Sequence, residues 1–317
     1  MTDTQNEVFK TPVNKIRLFE HGAPGSQNFK LTRKYYTEDM SDGRVKHIVQ
    51  NITDPDIVPY IPDGIGNSTD RQRIPAVLII PGGAFRRLVY NFEGEDVAKW
   101  LNSMGIAAFV LECRLPSDEH DNAEDVPLID AMRAMRVIRG RAQEFGIDEA
   151  KIGVIGFSAG GFMAALLSTA YESDVYADYK YKDEYDKLSA RPDFAVCSYP
   201  VISIDDCIEA GKRYMSEEQV LERISDSKAK ILHKYNPDKL VRPDMPPVFI
   251  CETDDDRTTL SENSVGFYMA ARKAGVSAEL HIFRTGGHGY GCGDDFAQTG
   301  EWKVLFTKWI KSIGIIS

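Results

Sequence analysis

From Ile74 onward, short runs of wholly apolar residues alternate with longer stretches whose apolar residues recur at helical spacing. AVLIIP (76–81) is too short for a buried helix and closes on Pro-Gly-Gly, so it reads as a strand covered on both faces. In the next stretch, GEDVAKWLNSMG (94–105), Val97, Trp100, Leu101 and Met104 share one face, and Gly105 ends the helix. The rhythm continues with a strand at IAAFVLEC (106–113), a helix over 123–145, a strand at KIGVIGFS (151–158) and a helix at AGGFMAALLSTAY (159–171). Further strands are expected at DFAVCSYP (193–200), PVFICET (247–253) and AELHIFR (278–284), with helices over 261–275 and 298–314. Buried strands joined through helices imply an α/β fold. Its central sheet is mostly parallel, with helices on both faces, because each crossover lays a helix against the sheet.

The first 73 residues have another texture. NKIRLFE (14–20) and VKHIVQNI (45–52) read as antiparallel strands at a sheet edge, and residues 54–73, rich in Pro, Asp and Gly, as a loop-rich connection. A chain of 317 residues is within reach of one three-layer domain, so residues 1–73 are expected to pack as edge strands and loops on a core formed by 74–317. Two insertions interrupt the rhythm. The tyrosine-rich, charged segment 172–193 reads as a solvated excursion, with a lid or a contact between copies as the alternative, and a helix is expected around 216–234.

A formal charge of −10 argues against nucleic acid or an anionic membrane as partner. No run approaches the 18 apolar residues of a membrane span, and the polar start MTDTQNEVFK does not resemble a signal peptide. The five cysteines are scattered and form no CxxC pair, which suits reduced thiols and a cytoplasmic location.

The chemistry concentrates at GFSAGG (156–161), a Gly-x-Ser-x-Gly sequence lying between a strand and a helix. In that setting the turn is too tight for β-carbons at Gly156 and Gly160, and Ser158 projects at the helix N-terminus as a candidate nucleophile. Its hydroxyl needs a base. His288, among the glycines of TGGHGYGCG (285–293) beyond the last strand, can reach it. The base in turn needs an acid, and in the chain order Ser–acid–His that acid follows the preceding strand, at TDDDRT (253–258). Asp254, Asp255 and Asp256 are the candidates. An oxyanion hole would take one backbone N–H from Ala159 and a second from the turn PGGAFRR (81–87), where Gly83 and Ala84 are the expected donors.

PGGAFRRL (81–88), IGVIGFSAGGFMAALL (152–167), RPDFAVCSYPVIS (191–203), MPPVFICETDDD (245–256) with SENS (261–264), and GVSAELHIFRTGGHGYG (275–291) together resemble the α/β-hydrolase superfamily. Within it they resemble the acetyl-xylan-esterase-like branch of the acetylesterase and hormone-sensitive-lipase-like group. The resemblance covers about residues 74–312. That family's acid turn usually reads D-x-x-V-P-V-E-N-S. Aligning its last residues with SENS makes Asp256 the acid and Asp255 an acidic neighbour one residue out of register, although Thr259-Leu260 stands where the family has Val-Pro. Ala84 also departs from the Gly or Tyr frequent there. The resemblance implies a serine carboxylesterase releasing short acyl groups, above all acetate, from acylated sugars or xylo-oligosaccharides through an acyl-enzyme. It implies no metal or organic cofactor, a small-molecule ester as partner, and leaves a homo-oligomer open. Two alternatives share the fold. A prolyl-oligopeptidase-like peptidase usually carries a large β domain for which this length has no room. A non-catalytic ligand-binding member generally lacks one of the three catalytic positions, all of which are occupied here.

Overall fold

The computed structural model describes residues 9, 12–40, 42–64, 73–118, 120–213, 215, 216, 218–220, 229–293 and 298–317. The strands are β1 (Ile16–Arg17), β2 (Lys34–Asp39), β3 (Val45–Gln50), β4 (Asp56–Tyr60), β5 (Ile74–Ile80), β6 (Leu88–Val89), β7 (Ala107–Glu112), β8 (Ile147–Phe157), β9 (Ala195–Ser198), β10 (Val248–Thr253) and β11 (Ala278–Phe283). The helices are α1 (Asp96–Ser103), α2 (Val126–Gly140), α3 (Ala142–Phe145), α4 (Ala159–Ala170), α5 (Ile204–Lys212), α6 (Ala229–Lys234), α7 (Ser261–Lys273) and α8 (Trp302–Ser312). Among the described residues no helix is long and apolar enough to cross a membrane.

The apolar runs form the middle of an eight-stranded sheet in the order β1-β4-β7-β5-β8-β9-β10-β11. It is parallel from β7 to β11, and β4 and β1 add an antiparallel edge. Strands β5, β7 and β10 are buried at nearly every position, which is why they read as continuous apolar runs rather than alternating ones. Trp100 of α1 packs edge-on against Trp302 and Phe306 of α8, while α4 lies against β8 and β9 and packs on α2.

The chain leaves β5 in one direction toward β7 and later returns on the other side as β8. The strand order therefore reverses at β5/β8, and the crevice beyond the carboxyl ends of such a pair is where open α/β sheets bind ligands. Ile80 is opposite Gly156 in register, so Pro81-Gly82-Gly83 and Ser158 emerge side by side.

Several sequence expectations need correction. Residues 56–60, read as part of a loop, are β4, paired with β7 from Asp56↔Glu112 to Tyr60↔Ala108. Pro59 is tolerated because β1 pairs with Asp56 and Ile57, and among the described residues no strand lies beside the proline on that side. Residues 45–52 contribute to a separate three-stranded sheet, β2-β3-β6, rather than to the edge of the large one. The helix over 123–145 is two helices broken at Arg141, and the second ends at Gly146 with φ 67°. Residues 204–212 form α5, which the sequence reading did not anticipate. Of the helix expected around 216–234, Ala229–Lys234 is α6, and residues 214, 217 and 221–228 lie outside the described residues.

Segment 172–193 is not solvated along its length. Arg133, Arg136 and Arg139 recur every three residues on α2 and hold it down. Arg133 pairs with Asp183 and with Asp186 (3.1 Å), Arg136 meets the Tyr176 hydroxyl, and Arg139 pairs with Asp193 (3.1 Å). The Tyr179 hydroxyl donates to the Gly22 carbonyl at 2.9 Å, tying the segment to the loop after β1 as well.

The N-terminal region is also clamped through Arg114, whose fork binds Asp130 at 2.7 and 3.0 Å while Nη1 donates to Ser26 Oγ at 2.8 Å. Ser26 Oγ lies 2.9 Å from His120 Nδ1. The hydroxyl oxygen accepts from Arg114 and keeps a second lone pair and its own proton for Nδ1, so the contact serves the neutral imidazole in either tautomer. Burial, and then the Arg114 charge, lower the His120 pKa from 6.5 to about 4. Between those values the unfolded chain binds a proton the folded chain does not, so the stability contributed by neutral His120 is present above pH 6.5 and lost as pH falls toward 4. Asp118, pushed up to about 6 by burial, acts with the opposite sign, so the parent protein alone does not isolate the effect. His120→Asn keeps an acceptor for Ser26 and removes the titration. The difference in Tm, variant minus parent, is expected to rise as pH is lowered from 7 to 4.5; a constant difference would refute the assignment.

Candidate active site

Ser158 sits between β8 and α4 at φ 53°, ψ −118°, a conformation that a side-chain-bearing residue adopts only under constraint. The constraint is built from neighbours: its N–H donates to the Ser198 carbonyl (3.0 Å), while its carbonyl accepts from Phe162 N–H (3.0 Å) and Val201 N–H (3.3 Å). A β-carbon on Gly156 would collide with the Gly160 carbonyl, and one on Gly160 with the Ile80 carbonyl. Glycine is required at both positions by close backbone approach.

His288 Nε2 lies 2.8 Å from Ser158 Oγ, and His288 Nδ1 lies 2.6 Å from Asp256 Oδ2. The Asp256 side chain is fully buried and that of His288 is 21% exposed. Asp256 Oδ1 accepts from the amides of Thr258 (2.7 Å) and Thr259 (2.9 Å), and Oδ2 accepts from Thr259 Oγ1 (3.0 Å). Burial alone would push this carboxyl up, but the hydrogen bond and charge of His288 and the Thr259 and Thr258 amides hold it below the ordinary carboxylate range.

The neighbouring aspartates behave differently. Asp254 and Asp255 are exposed, yet Asp255 Oδ1 accepts the Gly287 N–H at 2.8 Å and so pins the loop carrying His288. Sequence reasoning missed Thr259, which crosses from the acid turn to both Asp256 and the His288 ring (3.3 Å). It stands in one of the two positions where the family pattern departs, which was the available signal. It also missed Glu252, fully buried two residues before the aspartate run and bonded to Thr253 N–H (2.9 Å) and Ser264 Oγ (3.3 Å). Burial, then the charge of Asp256, push the Glu252 carboxyl well above its ordinary value.

Gly83, Ala84 and Phe85 all have positive φ (139°, 57° and 60°), which curls the chain after β5 into a tight turn. A β-carbon on Gly83 would strike the Arg87 carbonyl. Among the described residues neither the Gly83 nor the Ala84 N–H has a backbone or side-chain acceptor. Ala159, as first residue of α4, has no intrahelical acceptor for its own N–H. Beside these amides opens a pocket bounded by Phe85, Leu88, Leu115, Pro116, Pro127 and Met163, of about 260 Å³ including part of its open mouth.

The BD-FAE family profile matches residues 65–270, a span that contains Ser158 and Asp256 and ends before His288. An acetylxylan esterase of Xylanibacter ruminicola is 30% identical over 240 residues, covering 75% of this chain and 45% of that protein. Endo-1,4-beta-xylanase B of Butyrivibrio fibrisolvens is 31% identical over 227 residues, covering 71% of this chain and 34% of that one. The chain thus spans less than half the length of these curated relatives. A solved structure, the acetyl ester-xyloside bifunctional hydrolase of Caldicellulosiruptor lactoaceticus, is 35% identical with a TM-score of 0.67, covering 96% of this chain and 97% of that one. With about two-thirds of its length matched by one family profile and 96% of it covered by that hydrolase structure, the chain belongs to the BD-FAE family and has the α/β-hydrolase fold.

Proposed function

We propose that the protein is a serine carboxylesterase that removes short acyl groups, acetate above all, from acylated carbohydrates such as xylo-oligosaccharides. The observation that carries this reading is the unbroken hydrogen-bonded line Asp256–His288–Ser158 (2.6 and 2.8 Å), lying beside unengaged amides at the switch point of the sheet. Ser158 Oγ attacks the ester carbonyl and passes its proton to His288 Nε2, while Asp256 holds Nδ1–H and stabilises the imidazolium. The carbonyl oxygen takes up negative charge within reach of the amides of Ala159 and of Gly83 or Ala84. Collapse expels the alcohol, which carries away the proton from His288. Water, deprotonated by the same imidazole, then releases the acid and restores Ser158. No step draws on a metal or organic cofactor.

The pocket next to those amides supports a short acyl group. Phe85, Leu88, Leu115 and Met163 on its walls suit a hydrocarbon tail. The named activities of the Xylanibacter ruminicola and Caldicellulosiruptor lactoaceticus proteins support acetyl esters of carbohydrates as the substrate class. Buried thiols at Cys113, Cys197 and Cys251, none of them in a disulfide, support the cytoplasmic placement. We also propose that the N-terminal strands belong to the same structural domain as the catalytic residues, since β1 and β4 join the large sheet and β6 joins β2 and β3.

The test is a series of p-nitrophenyl esters from acetate to octanoate, run alongside acetylated xylo-oligosaccharides and a peptide anilide. We expect kcat/KM to be highest for acetate and at least about tenfold lower for octanoate, in line with the cost of a methylene that does not fit. Preference for octanoate would refute the acyl assignment, and faster cleavage of the anilide would favour the peptidase alternative.

A further inference from the structure

The two flanks of the catalytic line each end in a backbone donor, and a buried relay joins them. Gly82, on the turn that carries the candidate oxyanion amides, donates its N–H to Glu93 Oε2 at 2.7 Å. Gly291, in the loop three residues beyond His288, donates its N–H to the Tyr199 hydroxyl at 3.0 Å. The Tyr199 hydroxyl in turn donates to Glu93 Oε1 at 2.9 Å. With Glu93 ionised each bond has one direction: the carboxylate only accepts, so the Tyr199 hydroxyl, which accepts from Gly291, gives its proton to Oε1, and Gly82 donates to Oε2. Two donor ends linked through a hydroxyl can be closed only by a group that accepts at two atoms, which is what a carboxylate does.

Local structure is bent to make this arrangement. Glu93 sits in a π-helical turn, Asn91–Glu95, in which Glu95 N–H bonds the carbonyl of Tyr90, five residues back. Such wide turns are rare and recur at functional sites. Tyr199 holds φ 36°, a strained value for a residue with a side chain, and its N–H is anchored to the Cys251 carbonyl at 2.7 Å. Its ring meets the His288 ring edge-on, with centroids 5.0 Å apart. Glu93 is 5% exposed and Tyr199 fully buried. Burial raises the Glu93 carboxyl, and the charge of His288 followed by the Tyr199 and Gly82 bonds pulls against that rise. A buried carboxylate costs stability that an apolar residue at position 93 would not, and the positive φ at Tyr199 is a cost that glycine would avoid.

We propose that Glu93 and Tyr199 are positioning residues, which hold the oxyanion turn and the His288 loop at a fixed separation around Ser158. The proposal rests on the serine-hydrolase reading of the site. Misplacement of a catalytic group by about 1 Å can cost about 100-fold in rate.

The experiment measures the rate at which a fluorophosphonate probe labels Ser158, which needs the base and the oxyanion donors but no ester substrate. Glu93→Gln, Tyr199→Phe and the double variant are compared with the parent, with kcat and KM for p-nitrophenyl acetate measured in parallel. Each single change is expected to lower the maximal labelling rate by about 10–100-fold with little change in probe affinity, and kcat with little change in KM. The double variant is expected to be no slower than the worse single one, because both changes break the same relay. Tyr199→Phe removes a single oxygen and keeps the test open if Glu93→Gln does not fold. Single variants within threefold of the parent, losses that multiply in the double variant, or losses confined to probe affinity and KM would each overturn the relay. A parent that labels but does not hydrolyse acetyl esters would sink the esterase reading, while the labelling comparison would still decide the relay. A parent that does not label would overturn both.

Discussion

Ser158→Ala and His288→Ala are each expected to lower kcat toward p-nitrophenyl acetate by about 10⁶, with the double variant no slower than either alone. The expectation follows from the 2.8 Å contact between Ser158 Oγ and His288 Nε2. A serine hydroxyl is barely ionised at neutral pH, so without the imidazole it is no better a nucleophile than water, and without the hydroxyl the imidazole has nothing to activate. What remains is the pull of the oxyanion amides and substrate binding, which neither change touches. Near-parental far-UV circular dichroism is expected for Ser158→Ala, since replacing a hydroxyl with hydrogen leaves the elbow backbone as it is. Undiminished turnover by Ser158→Ala would reject the nucleophile, and multiplying losses would reject a shared step.

Asp256→Asn is expected to cost about 10⁴ in kcat, against a few-fold for Asp255→Asn. The difference comes from which atoms face which partners. Asp256 Oδ1 is held by two amide N–H groups, so an asparagine there must keep its oxygen on that side and turn its NH₂ toward His288 Nδ1. Nδ1 would then accept, the ring proton would move to Nε2, and the base would present a proton to Ser158 instead of a lone pair. Asp255 is exposed and, among the described residues, bonds the Gly287 N–H, which an asparagine oxygen can also accept. Steady-state kinetics on the two variants decide the matter, and a reversal of the two effects would move the acid by one residue.

The parts of this protein that were legible in its sequence are those whose cause is local. Buried parallel strands announce themselves because nearly every position along β5, β7 and β10 is buried. The turn at Ser158 is written in the glycines at 156 and 160, whose missing β-carbons are a steric necessity of that turn. The strand at 56–60 escaped notice because its proline is tolerated where β1 stops short, and its aspartate because Arg33, 23 residues earlier, pairs with it at 2.6 Å. Segment 172–193 looked solvated because the arginines that neutralise its acids lie some 50 residues earlier, on α2.

The candidate nucleophile, base and oxyanion turn could be named from sequence because each sits at the end of a strand, with glycines beside it that betray a tight turn. Choosing among three consecutive aspartates needed a family resemblance, and only the fold separates their environments: Asp256 turns inward to the His288 ring, Asp255 caps the loop, and Asp254 is exposed. The tertiary structure alone joins Glu93 to Tyr199, 106 residues away, and Tyr199 to Gly291, 92 residues further on. Nothing in the composition of those stretches encodes the pairing. A carboxylate's partner is set by where the folded backbone aims it, and that direction exists only once the sheet has brought the carboxyl ends of β5, β8 and β9 side by side.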